Sequence, residues 1–137
     1  MLYLVTKPID TFKGTAYLYA VGTLLHTLDH FRRGVHTVSD GVVFLGTFGM
    51  VFAAVAITLC LTDHPFAPKA ALYGFPHAIG IAAIHYLPRW SVLSDSAFGG
   101  HWSPLSWFAV SIEIIGALAF ALSGVSILRR QRVPQPA

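Results

Sequence analysis

Four long apolar runs, separated by short charged or Pro/Gly-rich breaks, dominate the chain: 14–31, 41–61, 70–87 and 105–128. A hydrocarbon layer of about 30 Å takes about 20 mostly apolar residues in helical form, so each run has roughly the length of a membrane crossing. The first run (GTAYLYAVGTLLHTLDHF) lies between Lys13 and Arg32-Arg33, stops at Gly34 and is the least apolar. The second carries no charge, follows Ser39-Asp40 as candidate N-caps and ends before Asp63-His64-Pro65. The third (AALYGFPHAIGIAAIHYL) is closed by Pro88-Arg89 and contains Pro76, whose missing N–H predicts a kink. The fourth follows Pro104 and ends in Arg129-Arg130, after which RRQRVPQPA reads as a disordered basic tail over 129–137. The pattern predicts an all-α integral membrane protein: a single four-helix bundle over residues 1–128, up-down-up-down, with both termini on one side. The leading segment MLYLVTKPID is too short, and too broken by Lys7 and Pro8, for a signal h-region, so the first span is expected to be retained.

Charge then suggests an orientation. One side of such a bundle holds Lys7, Lys13, Lys69, Arg129, Arg130 and Arg132, the other Arg32, Arg33 and Arg89. The positive-inside rule therefore places the termini in the cytoplasm and the protein in a plasma or inner membrane. Trp90, Trp102 and Trp107 fall at the outer end, where an interfacial belt would put them. Composition agrees: 55% of residues are hydrophobic and 11% charged, with a mean hydropathy of +0.64, which argues against an ordinary soluble globule. The net charge of +3 comes from basic residues scattered singly or in pairs, so no stripe tracks phosphates and no nucleic-acid partner is expected. The expected partners are the bilayer and its anionic lipids, with other membrane proteins or further copies of the chain. The single cysteine, Cys60, excludes an internal disulfide, a CxxC pair and an all-cysteine metal site. Phosphate-binding, nucleophile-elbow, zincin and dinucleotide motifs are absent.

Candidate chemistry sits in the few ionisable residues inside the spans, which are expensive at bilayer depth and must face one another or a cavity. On the first span His26, Asp29, His30 and Arg33 recur at i, i+3, i+4 and i+7 and share a face. The HTLDH segment has metal-ligand spacing: His26 and His30 one turn apart, with Asp29 as third ligand, orienting carboxylate or a helix-end partner of Arg33. His85 lies at the same outer level as His30, so the candidate cofactor ligands are His26, His30 and His85, with Asp29 added for a metal. The choices are Zn²⁺, Cu²⁺ or Fe²⁺, or a b-type haem between His85 and His26 or His30. His36, His101, Asp40 and Asp95 map to the same outer side. Deeper down, a rise of about 1.5 Å per residue brings His77 and Glu113, the only glutamate, to nearly one level, where they would pair and serve as a catalytic proton-handling couple.

Small residues on the second span (Gly41, Gly46, Gly49, Ala53, Ala54, Ala56) and the fourth (Gly116, Ala117, Ala119, Ala121, Gly124) read as close-approach surfaces. The 88–104 connection reads equally as a tether or as an interfacial loop. The function expected is binding of a metal, haem or lipophilic ligand for redox or acid/base chemistry near the outer face. The alternatives are a non-catalytic subunit of a larger membrane complex or a small oligomeric transporter.

Overall fold

The computed structural model describes residues 8–100 and 102–132. Among them are five α-helices and no strand: α1 (Pro8–Arg33), α2 (Asp40–Leu61), α3 (Ala67–Ala70), α4 (Gly74–Tyr86) and α5 (Pro104–Gln131). Three residues of 3-10 helix, Ala71–Tyr73, join α3 to α4 with no departure from right-handed helical angles, so these pieces form one rod. The fold is thus all-helical, with four long helical segments.

Local chemistry sets the ends. Pro8 opens α1 at a position where its missing N–H costs nothing, and Gly34, at φ 91°, ends it in a conformation that favours glycine. Ser39 caps α2 by accepting the Val42 N–H at 3.3 Å. Ser103 and Ser106 form a reciprocal capping box at the start of α5, beside Pro104. Two expectations need correction. Helix α1 begins before Gly14, and α5 runs on through Arg129 and Arg130, which are helical and not part of a tail. Around Pro76 the helical hydrogen bonding is irregular one turn earlier than the proline itself, in the 3-10 stretch Ala71–Tyr73, and Pro76 sits in the first turn of α4, where its missing N–H is least costly. Lys7, His101 and the 133–137 part of the tail lie outside the described residues.

Contacts between helices make the neighbouring rods antiparallel. Lys13, near the start of α1, pairs with Asp63, just past the end of α2, at 2.7 Å. Thr15 meets Ser123 at 2.9 Å while Arg32 reaches Ser106 at 3.1 Å, so α1 and α5 run in opposite senses. The α1–α5 interface is the most extensive in the molecule. It depends on glycines: a Cβ at Gly22 would stand 2.5 Å from Glu113 Cα, and one at Gly116 would stand 2.7 Å from Tyr19 Cα. Backbone therefore touches backbone, a device suited to helices that gain little from burying apolar surface. Gly74 and Gly124 bring the α3–α4 rod equally close to α5.

Helix α2 departs from expectation. Its second half packs through Ala53, Ala56, Ile57 and Cys60, all buried. Its first half packs sparsely: Val42 is buried with Val38 and Ile84, but Gly46 faces open space, Gly41 meets only the loop residues Val92 and Leu93, and Phe44, Leu45 and Phe48 are exposed. Two helices, α2 and α5, are long and apolar enough to cross a membrane, with mean hydropathies of 2.4 and 2.0. Helix α1 is long but interrupted by charge, and α4 has 13 residues.

Candidate functional site

The inward face of α1 carries the polar stripe, and the close α1–α5 approach delivers Glu113 to it. Gly22 is the reason the two can meet, since any side chain there would push the Glu113 backbone away. Glu113 is 2% exposed and accepts hydrogen bonds from three side chains: Thr23 Oγ1 at 2.9 Å, His26 Nδ1, and His77 Nε2 at 3.2 Å. The depth-matched His77 and Glu113 are therefore in contact. The same carboxylate also reaches His26, so the His26–His30–His85 group and the His77–Glu113 pair form one continuous site. Tyr19 and Tyr73 pack edge-on against the His77 ring, with centroids 5.5 and 5.4 Å away, and hold it in place.

Above Glu113, His26, His30 and His85 offer ligand nitrogens that all lie within 4.8 Å of one another. The second nitrogen of each ring reveals how it is set. His26 donates its Nδ1–H to the Glu113 carboxylate, so in the neutral ring the lone pair is on Nε2, a nitrogen that is buried and has no partner. His85 Nδ1 lies 3.1 Å from the Asp95 carbonyl, which can only accept, so its Nε2 also carries the lone pair. His30 is the reverse: Arg33 Nη2 donates to its Nδ1 at 3.1 Å. Two of the three imidazoles are thus oriented as metal-ligating histidines usually are, by a carboxylate and by a backbone carbonyl. The third must release Arg33 or turn in order to ligate.

A tetrahedral zinc site with bonds of about 2.0–2.1 Å needs nitrogens about 3.4 Å apart, so the rings must close inward by roughly an ångström. His30, the least buried of the three, has the room to do so. A haem does not fit in the same way. The rings of His26 and His85 touch edge to face at 4.8 Å and those of His26 and His30 lie 4.7 Å apart, which leaves no slot for a flat macrocycle between them.

Asp29 lies outside the triad. Its Oδ1 accepts from Arg32 at 2.7 and 2.9 Å and its Oδ2 from Arg33 at 2.9 Å, which is the helix-end ion pair and not a ligand arrangement. Arg33 continues to Asp95 at 2.9 Å and stacks over Trp102 at 5.2 Å; Trp102 in turn covers His85 at 5.3 Å. The connection between α4 and α5 is therefore no tether, because it docks Asp95 and Trp102 against Arg33 and His85, at the end of the triad away from Glu113. No periodic signal in the loop's sequence points to this. His36 and His64 are exposed in turns, and Asp40 is exposed in the first turn of α2, all away from the site. Sequence reasoning also missed Thr23, one turn before His26 on the same face.

A cavity of about 210 Å³ borders the cluster on its α2 side, between His26, His30, His77, His85 and Glu113 and an apolar wall that includes Val42 and Met50. No family model, curated sequence or solved structure matches this chain, so the chemistry rests on its own residues.

Proposed function

We propose that the protein is a four-span membrane bundle whose outer half binds one divalent first-row transition metal on His26, His30 and His85. Glu113 and His77 would handle protons for redox or acid/base chemistry on a small membrane-soluble molecule. Membrane embedding is supported by the inverted distribution of side chains. On α1, Tyr17, Val21, Leu24, Leu28 and Phe31 form an exposed apolar stripe, while His26, Asp29, His77, His85 and Glu113 are buried. Such a surface is unfavourable in water and natural in lipid. The charge asymmetry between the two ends favours cytoplasmic termini.

The observation that carries the metal assignment is the buried, partnerless Nε2 of His26, aimed at two other imidazoles and set by a carboxylate behind it. A lone pair left unsatisfied in such a place calls for a proton or an ion. Three protein ligands beside a cavity match sites that keep a position open for water or substrate. A bound ion would supply Lewis acidity or, if iron or copper, one-electron chemistry. Around it, Glu113 fixes the ring of His26 and can take a proton, and His77 can pass one to or from the same carboxylate. The Asp95 carbonyl fixes His85, and Trp102 excludes water from the outer side.

The test is metal analysis of the protein purified from membranes and reloaded with zinc. The expected result is about one ion per chain in the wild type, as a single three-ligand site requires. His26→Ala and His85→Ala should lose it, and Glu113→Gln should bind about 10- to 100-fold more weakly through misorientation of His26. Stoichiometry indifferent to all three substitutions would overturn the assignment.

A further inference from the structure

Arg33 ties the histidine cluster to the loop between α4 and α5. Its side chain is 5% exposed. Nε gives its hydrogen to Asp29 Oδ2 at 2.9 Å, while Nη2 reaches both Asp95 Oδ2 at 2.9 Å and His30 Nδ1 at 3.1 Å. A guanidinium has only donors, so His30 Nδ1 is the acceptor and the proton of the neutral ring is on Nε2. That bond is incompatible with ligation by His30. An ion on Nδ1 needs the lone pair that Arg33 holds. An ion on Nε2 puts the ring proton on Nδ1, where it would face the Arg33 N–H, donor against donor. Turning the ring over carries Nδ1 away from Arg33 as well. Each route breaks the bond, and a divalent charge one imidazole away also repels the guanidinium.

The partners of Arg33 are arranged for such a release. Nε still has Asp29, so the side chain keeps one carboxylate when Nη2 lets go of the ring. Asp95 has a second position within reach: its Oδ2 lies 3.5 Å from His85 Nδ1, which donates to the Asp95 carbonyl at 3.1 Å. An ion on His85 Nε2 makes the Nδ1–H a stronger donor, and a carboxylate is a usual partner for the second nitrogen of a ligating histidine. Trp102 lies between the two groups that would move, with its ring 5.2 Å from the Arg33 guanidinium and 5.3 Å from the His85 ring.

We infer that Arg33 and the metal ion exclude each other at His30, and that ion binding passes the Asp95 carboxylate from Arg33 to His85 Nδ1. The inference rests on the metal reading above and adds the regulation of that site. One displacement frees the third ligand, strengthens the hold on the second and loosens the contact between α1 and the loop that carries Asp95 and Trp102. Arg33 is on this account a positioning residue that sets how tightly the ion is held.

The experiment measures zinc affinity on the full chain in lipid nanodiscs, with Arg33→Lys as the decisive variant. Lysine keeps the positive charge beside Asp29 and Asp95 but lacks the fork that serves His30 and both carboxylates at once. Competition predicts that Arg33→Lys binds zinc about three- to tenfold more tightly, the value of the one net hydrogen bond that no longer has to break. A residue that merely braced the site would lose affinity instead. In His30→Ala there is no ring for Arg33 to withhold, so adding Arg33→Lys should change zinc binding by less than about twofold. Where Arg33→Lys does not fold, nitrogen NMR of arginine-labelled wild type takes its place: the buried guanidinium should shift with one equivalent of zinc, while those of the exposed Arg129 and Arg130 stay. An unmoved buried guanidinium in zinc-loaded protein, or a lysine variant that binds zinc no more tightly than the wild type, overturns this inference and leaves the metal reading standing. Wild-type protein that takes up no zinc overturns both.

Discussion

The two seams that α1 makes with its neighbours could hardly differ more. Against α5 it is locked backbone to backbone by Gly22 and Gly116, with Glu113 pinned between Thr23, His26 and His77. Against the first half of α2 it leaves a cavity, and Gly46 there faces open space. The same small residue thus does opposite things on two helices: on one it permits contact, on the other it preserves a gap. A site that must hold ligands in fixed geometry and still admit a molecule is well served by one rigid wall and one loose wall.

Substitutions can break this contrast or sharpen it. The largest effect is expected at the C-terminal end of α1 on the rigid side, where Arg33→Met strips the cation shared by two buried carboxylates, Asp29 and Asp95. Breaking a buried pair of this kind costs about 3–5 kcal/mol, and denaturant unfolding in bicelles should show it. Next comes Gly22→Ala, whose methyl group must displace the Glu113 backbone. A loss of about 1–3 kcal/mol is expected from overpacking, along with weaker zinc binding as Glu113 shifts away from His26. The sharpest contrast is the identical change on the loose wall: Gly46→Ala should stabilise by about 0.5–1 kcal/mol, the ordinary helix gain over glycine, because nothing stands in its way. If Gly22→Ala and Gly46→Ala move stability in the same direction, the distinction between the walls is wrong. The smallest effect is expected for Lys13→Ala, which breaks a pair with the exposed Asp63 and should leave the unfolding midpoint almost where it is, with the small difference vanishing in high salt.

Much of the architecture was legible because apolar run length and cap residues report on helices directly. Ser39, Gly34 and Pro104 mark ends that the structure has within a residue or two. Rise per residue along helices of opposite sense was enough to match His77 to Glu113, now 3.2 Å apart. Depth arithmetic cannot supply helix rotation, and so it assigned His26 to a separate outer group when one carboxylate bridges both histidines. Nor does a pattern of small residues tell contact from gap, which is why Gly46 and Gly116 look alike as letters. Asp29 illustrates a third limit. Its spacing suits both a ligand and an ion pair, and only the position of the arginines decides. The haem alternative fails on ring contact, a property that spacing does not encode.

The claim on which the account depends is that His26, His30 and His85 hold one ion together. X-ray absorption at the zinc edge, on protein loaded with a single equivalent in nanodiscs, tests it most directly. The account predicts three imidazole nitrogens at about 2.0 Å with the outer-ring scattering of histidine, reduced in His85→Ala. A zinc shell with no imidazole signature, or one unchanged by that substitution, would contradict it.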